Sequence, residues 1–379
     1  MRILIVGGGI SGLALAALLQ KEGYKPLIIE KAPTWRNIGY AIILLGNGVN
    51  VLKELCLYDQ IMKNSCEFHS FEVANNKGKI IKKVNLTDIS NKHGPILGVE
   101  RTVLHSSLAS LVKEIPVRFN TTVKELFHDN NDISITFSDS SKESFDLVIG
   151  ADGMDSATRQ QLFNKNYLHY YNWAVWMTWF NSEQELEKKE VVMLGLGKAV
   201  GMYSVSPKKH CVMFFMQKDH NVHEKKIEHS TFLKAYFRDF GGIVPSVLEQ
   251  LTNSSQIYFD DLKYVELSEW HKGRIGIIGD AQHAVSPITA IGCSVALEDA
   301  SVLSKCISET TSSNISKMLD LFAKARQERM KLIKKQSRLL WNWFGVGSPL
   351  ISSFRNIILP FMPVSYFMKG YYKILSARL

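Results

Sequence analysis

The chain has 379 residues, which at roughly 100–200 per domain makes two domains or one large one. Its 46% hydrophobic and 21% charged content is ordinary globular usage and excludes disordered, collagen-like and coiled-coil chains. The net charge of +9 invites a nucleic-acid reading, but residues 324–379 hold eleven Lys or Arg against Glu328 alone, so the tail carries +10 and the preceding 323 residues are near neutral. Nucleic-acid binding needs a basic stripe on the folded body, and the sequence offers none. The five cysteines (Cys56, Cys66, Cys211, Cys293, Cys306) show no C-x-x-C spacing, so no disulfide scaffold, cysteine-ligated zinc or other metal site is expected. That usage fits a reducing, cytoplasmic compartment. No signal peptide is expected, because a strand-like run follows Met1-Arg2 at once. No apolar run is long enough to suggest a membrane span.

Residues 3–6 read as a short buried strand, 10–22 as a helix and 27–30 as a second strand after the Gly23-Tyr24 break, together a βαβ unit. A helix is expected near 47–55, strands from 68 to about 97, a helix over 101–114 and an apolar strand over 145–149. From 173 to 218 the pattern turns to long strands, with Trp173, Val175, Met177 and Trp179 on one face and Ala174, Trp176, Thr178 and Phe180 on the other. Further strands are expected at 201–205, 211–217 and 275–278. Helices are expected at 231–240, 292–306 and 316–344, before a Pro-interrupted amphipathic tail.

Between the first strand and the first helix lies Gly7-x-Gly9-x-x-Gly12, and Glu30 ends the second strand. Two glycines allow a tight turn and close approach of a pyrophosphate, the third lets helix pack on sheet, and the helix N-terminus faces the phosphates. Glu30 is placed to accept from ribose hydroxyls. With strand, helix and acid all present, the motif predicts dinucleotide binding, at Gly7, Gly9, Ser11, Gly12, Glu30 and Lys31.

Two later segments narrow the cofactor. Asp146-Leu-Val-Ile-Gly-Ala-Asp152-Gly153-Met-Asp-Ser156-Ala-Thr-Arg159 resembles the "DG" fingerprint of single-component, p-hydroxybenzoate hydroxylase-like FAD-dependent monooxygenases. Trp270-x-x-Gly273-Arg274-Ile-Gly-Ile-Ile-Gly279-Asp280 through Pro287, continued by Gly292 to Ala300, resembles the same family's "GD" motif. Arg36 to Gly39 is similar to the family's flavin-swing loop, and Arg101 to its helix-opening arginine. The resemblance implies an α/β fold: a Rossmann-like FAD-binding domain of the glutathione reductase type, an inserted β-sheet substrate domain and C-terminal helices. Residues 1–67, 98–165 and 269–323 would form the FAD-binding domain, 68–97 and 166–268 the substrate domain, and 324–379 the basic helical tail.

The resemblance also implies the chemistry. FAD would contact Arg36, Arg101, Gly279, Asp280, Pro287 and Gly292 besides the glycine loop, with Asp152 and Arg159 toward an NADPH or NADH donor. The reduced flavin would react with O2 to a C4a-hydroperoxide, attacked by a planar aromatic or polycyclic substrate of phenolic, salicylate-like or tetracycline-like type. The chain departs from the pattern at Ala290-Ile291-Gly292, where members carry Gly-Gln-Gly, and at Gln282, where they carry Ala. A flavin-dependent reductase or oxidase, or a non-enzymatic flavin-binding protein, therefore stays open as an alternative. His69 and Tyr203 are candidates for substrate contact, the tryptophan-rich strand reads as core, and His283 packs within the GD loop. His210 reads as a solvated turn residue. The basic tail either closes the substrate side or makes peripheral membrane contact.

Overall fold

In the computed structural model, residues 1–376 are described except 36–38, 129–131, 166, 185, 219–227, 253–255, 311–313 and 347. The strand Ile3–Val6 is apolar throughout because it is covered on both faces and paired on both sides, in parallel with Leu27–Ile29 and with Leu147–Gly150. Val117–Arg118 extends one edge of this sheet, and Ile275–Ile277 followed by the antiparallel His271–Lys272 extends the other. Strand order reverses at Ile3–Val6, and that reversal opens a crevice at the carboxyl ends of the strands. The loops holding Gly7, Glu30, Asp152 and Gly279 all leave the sheet at that end. The helix Ile10–Lys21 is apolar nearly all round because it lies between this sheet and the helix Gly292–Ser308.

Among the described residues the strands form four sheets. The largest has seven strands, in the order Tyr258–Val265, Leu168–Asn181, Lys209–Gln217, Lys198–Ser206, Lys189–Leu194, Ser70–Asn75, Ile80–Asn85. Its outer face carries Trp176, Phe180, Val212 and Phe214 under the helices His229–Tyr236 and Val244–Gln250. Its inner face meets the parallel-sheet domain, burying Tyr203 and Cys211 in that domain's core. Two three-stranded sheets flank the whole, one of them Val123–His128, Ile133–Phe137 and Lys142–Phe145. The 30-residue helix Ile315–Phe344 runs along the back and leads to the helix Pro349–Ile358, the turn Leu359–Phe361 and the helix Val364–Ser376.

Three sequence expectations are corrected. Residues 87–93 are a helix, Thr87–His93, rather than strand; Gly94, at φ +97, ends it with its N–H on Ser90 O. The apolar run 145–149 is divided at Asp146, whose carboxylate accepts from Arg2 N at 2.5 Å, and its two halves enter different sheets. His210 is wholly buried, bonded to Ser204 Oγ at 2.9 Å and Ser182 Oγ at 3.1 Å. It lies one residue inside the strand, where alternation points it to the covered outer face beside Phe180.

Candidate active site

The glycine loop is shaped by close approaches. A Cβ on Gly12 would stand 2.0 Å from Gly7 O, and one on Gly7, which also holds φ +108, would stand 2.5 Å from Ala151 O. Gly9 is different: a Cβ there would meet nothing within 4 Å, so the space in front of its backbone is open. Glu30 bends back to the loop, accepting from Gly8 N and Ala32 N at 2.9 Å each. Lys31 is exposed beside it. From the other side the His105 ring nitrogen donates to Gly8 O at 2.8 Å, and Trp35 packs edge-on to that ring. Burial lowers the His105 pKa, so the ring is a neutral donor.

Arg101 starts the helix Arg101–Leu111, one turn before His105. Its backbone N–H donates to Tyr40 O, its guanidinium lies 5.6 Å over the Tyr40 ring, and its Nη1 is buried without a partner among the described residues. Across the crevice is Asp280, at the end of Ile275–Ile277. Surrounding protein raises the Asp280 pKa, while His283 and Arg101 pull it back. The side chain is nevertheless exposed, so it lines an interior cleft. Cys293 faces the same space, its thiol pushed up to about 12, chiefly by burial and further by Asp280. Gly279 holds φ +62 and presses on Ser11, whose Oγ would be 2.2 Å from a Cβ there.

The DG segment braces this arrangement. Asp152 accepts from Ser156 Oγ at 2.5 Å and from Thr158 N at 2.9 Å, and Ser156 caps the next helix through Arg159 N. The Arg159 guanidinium is wholly buried and donates to Ala281 O at 2.7 Å and Met154 O at 2.8 Å. It ties the DG loop to the GD loop from inside, and presents no surface to a nicotinamide donor.

Behind Gly279 lies a buried charge network. Asp299 accepts from Gly279 N at 2.9 Å, from the His283 ring and from Arg326 Nε at 2.7 Å. Arg326 and Arg329 both grip Glu298, and Arg329 also donates to Ile374 O at 2.6 Å in the last helix. The first tail arginines are therefore internal struts.

The turn Pro287–Thr289 follows, with Pro287 exposed, and leads into Gly292–Ser308. Ala290 holds φ +53 in the left-handed region, where a glycine would be unstrained. A Cβ on Gly292 would meet nothing within 4 Å. Tyr371 from the last helix donates to Thr289 O at 2.9 Å and so fixes the turn. Facing it is the inner side of the seven-stranded sheet, where Phe71, Met177, Val192, Met213 and Phe215 are all only half-buried. Among them Glu190 pairs with Tyr203 across the strands, and burial pushes its carboxyl up to about 7. His69, by contrast, is exposed just before the strand Ser70–Asn75. Arg36 lies outside the described residues.

The cleft suits a bound FAD: an unpartnered buried Arg101 nitrogen, open space before Gly9 and Gly292, and an acid at the end of each flanking strand. The sequence profile of the FAD binding domain family matches residues 1–337. The chain belongs to that family. A flavin-dependent monooxygenase from an unknown prokaryotic organism is 29% identical over 308 residues, covering 80% of this chain and 79% of the relative. The 2-heptyl-3-hydroxy-4(1H)-quinolone synthase of Pseudomonas aeruginosa is 27% identical over 367 residues, covering 96% and 94%. Among solved structures, Klebsiella pneumoniae HpxO complexed with FAD and uric acid superposes with TM-score 0.89 at 21% identity, over 99% of this chain and 96% of that one. The protein is an FAD-dependent monooxygenase, and the non-enzymatic alternative falls away.

Sequence reading missed Tyr40, Asn47, Glu190, Tyr258, Cys293 and Tyr371. Asn47 is buried with both amide atoms unpartnered among the described residues, beside the helix Gly292–Ser308. Tyr258 packs on Tyr40 with ring centroids 5.0 Å apart. Tyr40 and Cys293 carried a signal, since Tyr40 follows Gly39 directly and Cys293 lies within the GD continuation; the others come from distant segments with no motif of their own.

Proposed function

We propose that this flavoenzyme takes electrons from NADPH or NADH and hydroxylates a planar aromatic or polycyclic molecule held between the seven-stranded sheet and the turn Pro287–Thr289. The observation that carries the reading is the half-buried wall of Phe71, Met177, Val192, Met213 and Phe215, an apolar, ring-sized surface facing the cofactor cleft. The Pseudomonas aeruginosa relative is a quinolone synthase and Klebsiella pneumoniae HpxO binds uric acid; both compounds are flat rings, which supports it.

Bound FAD supplies the redox chemistry, accepting two electrons from the nicotinamide and activating O2. Gly7, Gly9, Ser11 and Gly12 cradle its pyrophosphate at a helix N-terminus, and Glu30 with Lys31 borders the ribose. Arg101, Asp280, Gly279, Pro287 and Gly292 border the rest. The helix Gly292–Ser308 directs its N-terminal N–H groups at the cleft, which favours negative charge there. Tyr371 and the apolar wall exclude water. Glu190, protonated below its raised pKa of about 7, offers a hydrogen bond that orients the substrate.

The test is NADPH and NADH oxidation by the purified yellow protein with O2 uptake followed in parallel, adding phenols, salicylates, purines, quinolones and tetracyclines singly. One of these should stimulate both rates and leave with an added oxygen atom by mass spectrometry. Stimulated oxidation with no oxygen incorporated into any ligand would reassign the site to a reductase or oxidase.

A further inference from the structure

The helix Pro349–Ile358 is turned inside out. Its polar residues Ser352 and Arg355 are buried, bonded to Val346 O and Trp343 O at the end of the long helix. Its apolar residues face solvent: Leu350, Ile351, Phe354 and Ile357 are 57–83% exposed, and Phe361 in the next turn is 83% exposed. The spacing of four of them, 350, 354, 357 and 361, is that of a single helical stripe. A stripe of this size is not what a monomeric surface tolerates without use. Among the described residues no helix is long and apolar enough to cross a membrane.

Charge identifies the occupant. Residues 339–379 contain Arg355, Lys369, Lys373 and Arg378 and no acid. Beside the turn runs the edge strand Ile80–Asn85, whose Lys82 donates to Pro360 O at 3.0 Å and Met362 O at 2.7 Å. The strand thus abuts the turn that ends the stripe, and at its start Ile80 is half-exposed and Lys79 exposed. Lys369 is exposed on the helix that follows. An apolar stripe with cations beside it and no acid in either segment suits an anionic surface with an apolar interior. A second copy of this face would bring like charges together. We propose that this face lies on an anionic lipid bilayer, with Leu350, Ile351, Phe354, Ile357 and Phe361 sunk into the acyl boundary and Lys79 and Lys369 at the headgroups.

The test uses the full-length, FAD-loaded protein and co-sedimentation with vesicles of phosphatidylcholine alone or mixed two to one with phosphatidylglycerol. Binding should be about tenfold stronger to the mixed vesicles at low salt and should fall as salt is raised. The triple variant Ile351→Ser, Phe354→Ser, Ile357→Ser should lose binding while keeping its yellow colour. Should that variant fail to fold, Lys79→Glu with Lys369→Glu decides, by abolishing the preference for phosphatidylglycerol. Absence of wild-type binding to the mixed vesicles overturns the proposal, as does unchanged binding by a yellow triple variant. A dimer in light scattering that the triple variant splits, with no vesicle binding, assigns the face to a second copy instead.

Discussion

Ala290 sits at φ +53 and ψ 15, a conformation that costs a residue with a Cβ on the order of 1 kcal/mol. Ala290→Gly removes that strain and adds unfolded-state entropy of similar size, so thermal melting should move little, or upward by about 1 kcal/mol at most. Gly7→Ala should be disabling, since its Cβ would collide with Ala151 O. Arg101→Ala leaves the cleft without its unpartnered guanidinium nitrogen, and FAD affinity, read by fluorescence titration, should fall at least about tenfold, or 1.4 kcal/mol. Glu190 gives a pH signature. Its folded pKa of about 7 lies above the usual glutamate value of 4.5, so its contribution to stability is fully present below 4.5 and declines as pH rises to 7. KM for the stimulating ligand should rise through the same upper limit as the carboxyl ionises, and Glu190→Gln should flatten that profile.

At the scale of elements, the buried network joins four of them: the GD loop, the helices Gly292–Ser308 and Ile315–Phe344, and the last helix. Removing one partner leaves a buried charge uncompensated, so Arg326→Met should cost about 3–5 kcal/mol in denaturant unfolding. Asp299 sets the acid limit. Burial alone would raise its pKa, but His283 and Arg326 outweigh that and hold it at about 2. A depressed folded value stabilises above the unfolded pKa of 3.8, and that contribution is lost as pH falls from about 4 to 2. Acid unfolding followed by flavin release should track this window in the wild type. Several boundaries of these elements were legible in sequence, because 3.6-residue and two-residue periodicities are local. The helix Thr87–His93 was not, since its short polar run differs little from a turn.

Over the whole molecule, the tail closes the site from outside. Tyr371 reaches Thr289 O and Ile374 O receives Arg329, so the last helix fastens the turn that borders the proposed substrate space. Deleting residues 364–379 should leave FAD bound but let water in, and hydrogen peroxide formed per NADPH consumed should rise several-fold. Tyr371→Phe should give a smaller rise of the same kind. The structure also explains why the tail's basic residues have separate roles. Arg326, Arg329 and Arg355 are buried struts, whereas Lys369 and Lys373 remain exposed.

The glycine loop, Glu30 and the GD segment could be read directly from the sequence, because backbone approach and helix-terminus geometry demand fixed residue types at fixed spacing. Arg159 was visible as a motif residue, but its burial against Ala281 O depends on two loops meeting across the sheet. Likewise Glu190, Tyr258 and Tyr371 are ordinary residues of a strand or helix until three distant segments converge. His210 left its expected surroundings for a related reason, since one residue of strand register decides which way a side chain points. The outward turn of Leu350, Phe354 and Ile357 was equally hidden, because periodicity reveals that a helix has an apolar face and leaves its direction to packing. Local motifs thus specified the cofactor, and the long-range meeting of two sheets and a tail decided the wall, the lid and the exposed apolar face.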